Sequence, residues 1–211
     1  MGSSGGKIRS AKLALHAKRR QQKHRTLLFC KPYKVMCSFT DAEGRDTVGD
    51  YVTVPNVYAA GRLDYDSEGL MLLTSDGELA HRITHPRHKL PKQYLAQVEQ
   101  IPSKEALAQF RRGLLIKGNM TRPAQVELLP TEPDIFARSE PIRYRKTVPT
   151  SWLKITLTEG KKRQVRRMTA AIDHPTLRLI RIAIGPLRLD SMQPGDWREL
   201  TQQELTHLKR G

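Results

Sequence analysis

The stretch of sequence that decides the fold reads GRLDYDSEGLMLLT, residues 61–74. Its first nine residues are too polar for a protein core and end at Gly69, which predicts an exposed loop. The apolar run that follows predicts a strand, which would hold this loop rigidly. Asp64 in this loop is either a catalytic carboxylate or an ordinary turn residue that accepts a hydrogen bond from a neighbouring amide.

Further strands and helices are predicted on both sides of this stretch. Helices are expected after a capping box from Ser75 to Glu78, after Ser103, over residues 163–172, and after a capping box that begins at Thr201. Alternating or apolar runs predict the other strands, at residues 26–30, 57–60, 93–99, 126–129, 152–157 and 177–184. Because strands outnumber helices and few strand–helix–strand units repeat, we predict an α+β fold with a mixed, mainly antiparallel sheet.

The composition narrows the class of partner. The 211 residues include 37 Lys and Arg against 21 Asp and Glu, a formal net charge of +16. Such a charge attracts polyanions, and the most basic stretch lacks the bulky apolar face that membrane binding needs. The start of the chain shows no export signature, and two cysteines, Cys30 and Cys37, cannot build a disulfide framework. We therefore expect a cytoplasmic protein whose partner is nucleic acid.

A basic segment precedes the first predicted strand. Residues 7–25 hold eight Lys or Arg and no acid. This segment is a solvated flexible tail, an arm that grips RNA phosphates, or both. The predicted division is a tail over residues 1–25 and one folded domain over residues 26–211.

Two further motifs carry candidate site residues. Five of the seven residues 161–167 are basic, and a helix that starts after a glycine offers free N–H groups, so this segment is a phosphate site or a solvated basic face. The helical angle separates Arg166 from Arg163 and Arg167, which would let Arg166 point toward a cleft. Tyr94 lies on a predicted strand, where it is a core residue or lies beside a pocket.

Six blocks in this order resemble the pseudouridine synthases of the group that modifies the RNA of the small and large ribosomal subunits. The blocks are residues 61–77, 92–94, 121–124, 159–168, 179–187 and 194–200. Two departures stand out. Family members read Lys-Pro-x-Gly where this chain has Lys31-Pro32-Tyr33-Lys34, and many carry a small RNA-binding domain where this chain has only the basic tail.

The resemblance implies a sheet of the pseudouridine synthase type, with peripheral helices and a central RNA-binding cleft. It implies that residues 26–211 are a catalytic domain converting a uridine of ribosomal RNA, 23S RNA of the large subunit, to pseudouridine. Asp64 would be the catalytic carboxylate, Arg166 its ion-pair partner, and Tyr94 the ring that packs on the base. Whether Asp64 attacks covalently or assists removal of a sugar proton stays open.

The resemblance also implies the partners. The reaction needs no metal and no small-molecule cofactor, and we expect the chain to be a monomer that does not bind a membrane.

The resemblance also implies further residues of the cleft. Apolar walls are expected from Leu63 and Val165, and Arg62 is expected to enter the space that the extruded base leaves. RNA-binding side chains would be Arg62, Lys161, Lys162, Arg163 and Arg167.

Two other functions fit parts of the pattern. A non-catalytic ribosome assembly factor could use the same fold to bind RNA. A glycoside hydrolase could use Asp64 and Asp66 as its pair of acids, although a charge of +16 does not suit neutral glycans.

Overall fold

A computed structural model describes residues 24–88, 90–142 and 147–210 of the chain. The predicted basic tail lies almost wholly outside these residues. Arg25, which we assigned to the tail, is anchored to the domain: its backbone N–H donates to Ser75 Oγ at 2.9 Å and its guanidinium pairs with Glu199. No helix among the described residues is long and apolar enough to cross a membrane.

A nine-stranded sheet forms the centre of the fold, and a separate two-stranded hairpin lies beside it. The sheet contains β1 Thr26–Lys31, β2 Tyr58–Ala59, β3 Glu68–Thr74, β4 Lys92–Glu99, β7 Gln125–Leu128, β8 Thr150–Leu157, β9 Thr176–Ile184, β10 Leu187–Arg188 and β11 Trp197–Glu199, and the hairpin β5 Leu115–Ile116 and β6 Asn119–Met120. The main order is β11-β1-β3-β9-β4-β8-β7, with β2 on β3 and β10 on β9. Only β3 and β9 pair in parallel among these strands, which confirms the predicted mixed, mainly antiparallel α+β architecture.

The helices of the described chain pack around this sheet. They are α1 Gly77–Thr84, α2 Lys104–Arg112, α3 Gln164–Ala170 and α4 Gln202–Arg210, with short 3-10 helices at Val48–Asp50 and Pro86–His88. Helices α1 and α4 cover the cluster that contains Leu28, Leu72 and Ile180. Helices α2 and α3 cover the β4, β8 and β7 part of the sheet. Their positions agree with the expected peripheral helices.

The two predicted capping boxes had different outcomes. At α4 the prediction is confirmed, because Thr201 Oγ1 accepts from the Glu204 N–H while Glu204 Oε2 accepts from the Thr201 N–H. At α1 it is wrong. Asp76 is the N-cap and its carboxylate accepts from two backbone N–H groups of the first turn, at 3.0 and 3.1 Å. A charged carboxylate one residue nearer the helix satisfies these donors, so Ser75 is left to bind Arg25.

The polar loop ends earlier than the sequence indicated. Strand β3 begins at Glu68, and both Ser67 and Glu68 are buried. The Glu68 carboxylate can be buried because Arg178 on β9 pairs with it at 2.9 Å. Gly69 has φ +95, and a Cβ on it would collide with the Arg181 carbonyl oxygen, so the close approach of β3 to β9 requires glycine here.

A cleft opens between two hydrophobic clusters of the fold. One cluster joins Leu27 and Met71 of strands β1 and β3 to Leu63 of the polar loop. The other joins Tyr94 of β4 to helices α2 and α3. Strand β9 lies between β3 and β4, and its residues Leu179 and Arg181 line the cleft between these clusters.

Candidate active site

The cleft has a volume of about 760 Å³ and brings together segments that lie far apart in the sequence. The polar loop that contains Asp64 forms one wall, and residues 158–165 form another. Tyr94, Leu179 and Arg181 line it from the sheet. Pockets of roughly 300–1,000 Å³ hold small organic ligands, so one nucleoside fits this space.

Contacts to the chain after β1 hold the Asp64 loop in place. The Lys34 N–H donates to the Tyr65 carbonyl oxygen at 3.0 Å, and the Ser67 N–H donates to the Asp64 carbonyl oxygen at 3.1 Å. The Cys37 thiol lies 3.0 Å from the Leu63 carbonyl oxygen. The Asp64 side chain itself makes no hydrogen bond within the described ranges, so nothing there supports the reading of Asp64 as a turn cap.

Arg163 is the cation that faces Asp64. Its Nη1 lies 3.6 Å from Asp64 Oδ2, while Nη1 and Nη2 each donate to one oxygen of Asp66 at 2.9 Å. The bidentate hydrogen bond raises the pKa of Arg163. Burial acts to raise the pKa of Asp66, but the Arg163 hydrogen bonds and the charge of Arg166 outweigh it, so this pKa lies below its ordinary value. Asp66 is therefore an ionised anchor for Arg163.

The backbone of Arg163 is unusual. It has φ +53 in the left-handed region and forms the N-cap of α3. A side chain with a Cβ rarely adopts this conformation without support, and here the grip on Asp66 supplies it. The first turn of α3 is closed by its own residues, since the Gln164 N–H donates to Lys161 O and the Lys161 N–H to Gln164 Oε1. The Gln164 N–H is thus used within the chain, and the expected anion site at the other N–H groups of this helix start stays a prediction.

Arg166 does not reach Asp64 in the way we expected. Its side chain lies behind the loop, where Nη2 donates to the Asp66 carbonyl oxygen at 2.7 Å and Nη1 to the Thr176 carbonyl oxygen at 3.1 Å. Its ion pair is with Asp66, at 3.4 Å. Burial lowers the pKa of Arg166, and the charge of Asp66 acts in the opposite direction. Arg163 thus takes the position expected for Arg166 beside Asp64, because the Arg166 guanidinium is held by the carbonyl oxygens of Asp66 and Thr176.

A buried lysine contacts the same loop, since Lys31 Nζ donates to the Tyr65 carbonyl oxygen at 3.4 Å. Lys31 is fully buried, and its Nζ donates to Pro32 O and Val35 O at 2.8 Å. Burial lowers its pKa to about 8, against the opposing charges of Cys37, Glu68, Asp66 and Asp64. Lys34 stands where family members have glycine, and it adopts φ +57. The turn is therefore kept without the glycine.

The basic wall is braced from the side by the 121–124 block. Glu159 Oε1 accepts from the Arg122 N–H at 2.9 Å and from Gln164 Nε2. Lys161 Nζ lies 3.8 Å from Glu159 Oε2 and donates to Met120 O at 3.2 Å. The wall is thus fixed to both α3 and the hairpin β5–β6.

Residues 25–171 match the family model described as RNA pseudouridylate synthase. The chain belongs to this family. It is 50% identical over 175 residues to ribosomal large subunit pseudouridine synthase E of Vibrio vulnificus, covering 83% of this chain and 74% of that one. It is 53% identical over 170 residues to the enzyme of the same name from Xanthomonas axonopodis, covering 80% and 90%. A solved pseudouridylate synthase superposes with a TM-score of 0.74 at 32% identity, covering 88% of this chain and 74% of that chain. These findings confirm the resemblance seen in the sequence.

The synthase cleft gathers most of the expected RNA-binding residues, but not all. Arg62, Lys161, Lys162 and Arg163 line it, as do the expected apolar residues Leu63 and Val165. Arg167 does not line it, and neither does Arg166.

Sequence reasoning missed four charged residues that line this cleft or hold the residues that line it. They are Lys31, Asp66 as an anchor, Lys92 and Arg181. Lys31 and Arg181 share a signal that could have revealed them, since each is a charged residue in a mostly apolar strand: Lys31 is the single charge of β1, and Arg181 is one of two arginines in β9. A charge buried in a strand needs a partner or a function.

Proposed function

We propose that this chain converts a uridine of large-subunit ribosomal RNA to pseudouridine, with Asp64 as the catalytic carboxylate. One observation carries the proposal: Asp64 lies in the same basic cleft as Tyr94, with its carboxylate facing the Arg163 guanidinium at 3.6 Å. Relatives named ribosomal large subunit pseudouridine synthase E support the choice of substrate.

The reaction is an isomerisation, so atoms and electrons balance within the nucleotide and water. The N1–C1′ bond breaks and its electron pair goes to N1; the base then turns and C5 bonds to C1′. The C5 hydrogen leaves as a proton to water, and N1 takes up a proton. Asp64 either attacks covalently or assists removal of a sugar proton, and both roles need the ionised carboxylate that Arg163 faces.

The base has to leave the RNA stack to reach this carboxylate. Extrusion costs a few kcal/mol, least where the base is unpaired. Tyr94 is 8% exposed and lines the cleft, so its ring can pack on the extruded base. Leu63 and Val165, at 8% and 4% exposure, enclose the same space with apolar surface.

Phosphate contacts offset the cost of extrusion. Lys161 and Lys162 line the cleft from one wall, and Arg62 lines it from the Asp64 loop. Such contacts hold the RNA in register without reading its sequence. Arg163 faces Asp66 and Asp64, so we propose that its main role is to hold these carboxylates and not to bind RNA phosphate. Arg62 remains the side chain that would fill the place of the extruded base.

Tritium release tests the proposal. Large-subunit ribosomal RNA labelled with tritium at uridine C5 should release tritium to water with the wild-type chain, and Asp64→Asn should abolish the release. Asp46→Asn, the same change at an exposed residue outside the cleft, is the control and should stay active. Unchanged release by Asp64→Asn would refute the catalytic assignment. Primer extension after carbodiimide treatment then maps the modified position.

The assembly-factor alternative predicts a different result in the same assay. The chain would then bind RNA tightly but release no tritium from any ribosomal RNA. The glycoside hydrolase alternative needs one protonated acid, whereas Arg163 and Arg166 hold the pKa of Asp66 low. We therefore favour the synthase, acting as a monomer in the cytoplasm without a small-molecule cofactor.

A further inference from the structure

Two cations at the bottom of the cleft have no role in the function proposed above. Lys92 and Arg181 both line the cleft. Arg181 is 3% exposed, and within the described residues only its Nε donates a hydrogen bond, to Leu70 O at 2.7 Å. Its Nη2 is buried without a partner there. A buried donor without an acceptor is costly, which points to an acceptor that arrives with the substrate.

Lys92 reinforces this positive charge. Its Nζ donates to Leu90 O at 3.1 Å. Burial lowers its pKa to about 8, and the charge that acts on it is that of Arg181, a second cation. Arg163 and Arg166, by contrast, face the carboxylates of Asp64 and Asp66. Lys92 and Arg181 differ from these two arginines, because neither forms an ion pair with a carboxylate among the described residues. The floor of the cleft therefore carries positive charge without a counter-charge from those residues.

The position of the two cations identifies the part of the nucleotide that they meet. Arg181 on β9 is the register partner of Tyr94 on β4, and Lys92 precedes Tyr94 by two residues. A base packed on Tyr94 would therefore lie close to these two side chains. The acceptors of uracil are O2 and O4, joined by N1 once its bond to the sugar has broken.

We propose that Lys92 and Arg181 are catalytic residues that stabilise the negatively charged uracil while it is detached from the sugar. The inference rests on the proposed function. When the N1–C1′ bond breaks, the electron pair stays on the base and its charge spreads over N1, O2 and O4. Cations already in place beside the base lower the barrier without rearranging, and removing one such donor costs roughly 100-fold to 1,000-fold in rate.

A phosphate is the other anion that these cations could meet. Phosphate oxygens are expected to bind at the walls of the cleft, because the exposed side chains of Arg62, Lys161 and Lys162 line it there. The two floor cations instead line the cleft together with Tyr94 and the apolar Leu179, and Arg181 is the register partner of Tyr94. We therefore assign them to the base.

Lys92→Met in the full-length chain is the test, and Lys154→Met is its control. Lys154 is a half-buried lysine on the adjacent strand β8 and does not line the cleft. Under single turnover with excess enzyme and C5-tritiated ribosomal RNA, Lys92→Met should lose about 100-fold in rate while its Kd for the RNA stays within twofold. Lys92→Arg should recover part of the loss, and Lys154→Met should match wild type.

RNA that carries 5-fluorouridine separates an electronic role from a structural one. Fluorine withdraws electrons and stabilises the detached base, so the deficit of Lys92→Met should shrink several-fold, measured as disappearance of the parent nucleoside after digestion. Arg181→Lys, which keeps the charge, should be less impaired than Arg181→Met in the same assay. Circular dichroism checks that each variant is folded.

Three results would overturn the inference. One is a Lys92→Met rate equal to that of Lys154→Met; another is an undiminished deficit on the fluorinated RNA. The third is a raised Kd with a salt slope smaller by about one, which would mean that Lys92 holds a phosphate. If wild type itself releases no tritium, the proposed function fails and this inference with it. If wild type releases tritium and Lys92→Met releases it at the same rate, the inference is refuted and the proposed function stands.

Discussion

The buried ion pair between Glu68 and Arg178 allows a sharp prediction about stability. Glu68 and Arg178 are 1% and 6% exposed, and two hydrogen bonds of 2.9 Å join the guanidinium to the carboxylate. Arg178 Nη2 also donates to the Phe136 carbonyl oxygen at 2.9 Å. The pair thus connects the start of β3, strand β9 and the segment that follows β7.

Glu68→Gln should destabilise the protein strongly. The change leaves the Arg178 guanidinium buried without a counter-charge, which costs about 3–5 kcal/mol. At about 2–4 °C per kcal/mol for a chain of this size, the midpoint of thermal unfolding should fall by about 6–20 °C. The double variant Glu68→Met with Arg178→Met removes both charges, so it should lose much less than Glu68→Gln. Its remaining cost is the unpaired Phe136 carbonyl, about 1 kcal/mol.

Equilibrium urea unfolding followed by circular dichroism measures these differences. Glu140→Gln is the matched control, because Glu140 pairs with Lys34 with both side chains about half exposed, at 52% and 46%. It should leave the urea midpoint almost unchanged. A loss below about 1 kcal/mol in Glu68→Gln, or a double variant as unstable as the single one, would refute the claim that burial makes this charge dependent on its partner.

Three other predictions follow from the site and its surroundings. Arg163→Lys and Arg166→Lys should each lower the rate of tritium release by about tenfold or more with RNA affinity retained, because an ammonium cannot reproduce the two-point grip of a guanidinium; release at the wild-type rate would contradict this. Lys92→Met should exceed wild type in stability most below pH 8, and the difference in urea midpoint should vanish as the pH rises from about 8 to about 10.5. The reason is that the folded-state pKa of Lys92, about 8, lies below its ordinary 10.5, so folding penalises the cation only where it is protonated. Deletion of residues 1–23 should weaken RNA binding and flatten its salt dependence, since fewer counterions are released; a full salt slope would mean that the tail is merely solvated.

Local patterns in the sequence were enough to predict much of the secondary structure. Apolar runs and alternation predicted β1, β3, β4, β8 and β9 within one or two residues at each end. Ser103 accepts from the Ala106 N–H at the start of α2, as its position before the helix indicated. These features depend on neighbours within four residues. The repeat of a strand and the turn of a helix both fall within that distance, so the sequence pattern shows them directly.

Two predictions from the local sequence were corrected by the structure. Ser75 and Asp76 can both cap α1, and the choice of Asp76 depends on Ser75 being used by Arg25, 50 residues away. Glu68 appeared too polar for a core, and it is buried because Arg178, 110 residues later, neutralises it. In each case a distant residue changes the cost of a local arrangement.

By itself, the sequence determined the class of fold, the loop that carries Asp64 and the basic character of the site, because these follow from local pattern and motif order. Tertiary structure alone decided which arginine meets Asp64 and which cations line the cleft together with Tyr94. Arg163 reaches Asp66 across 97 residues, and Arg181 meets Tyr94 through the register of β9 with β4. Such pairings depend on strand order and on the direction of each side chain within one helical turn, and neither quantity is expressed in the spacing of residues along the chain.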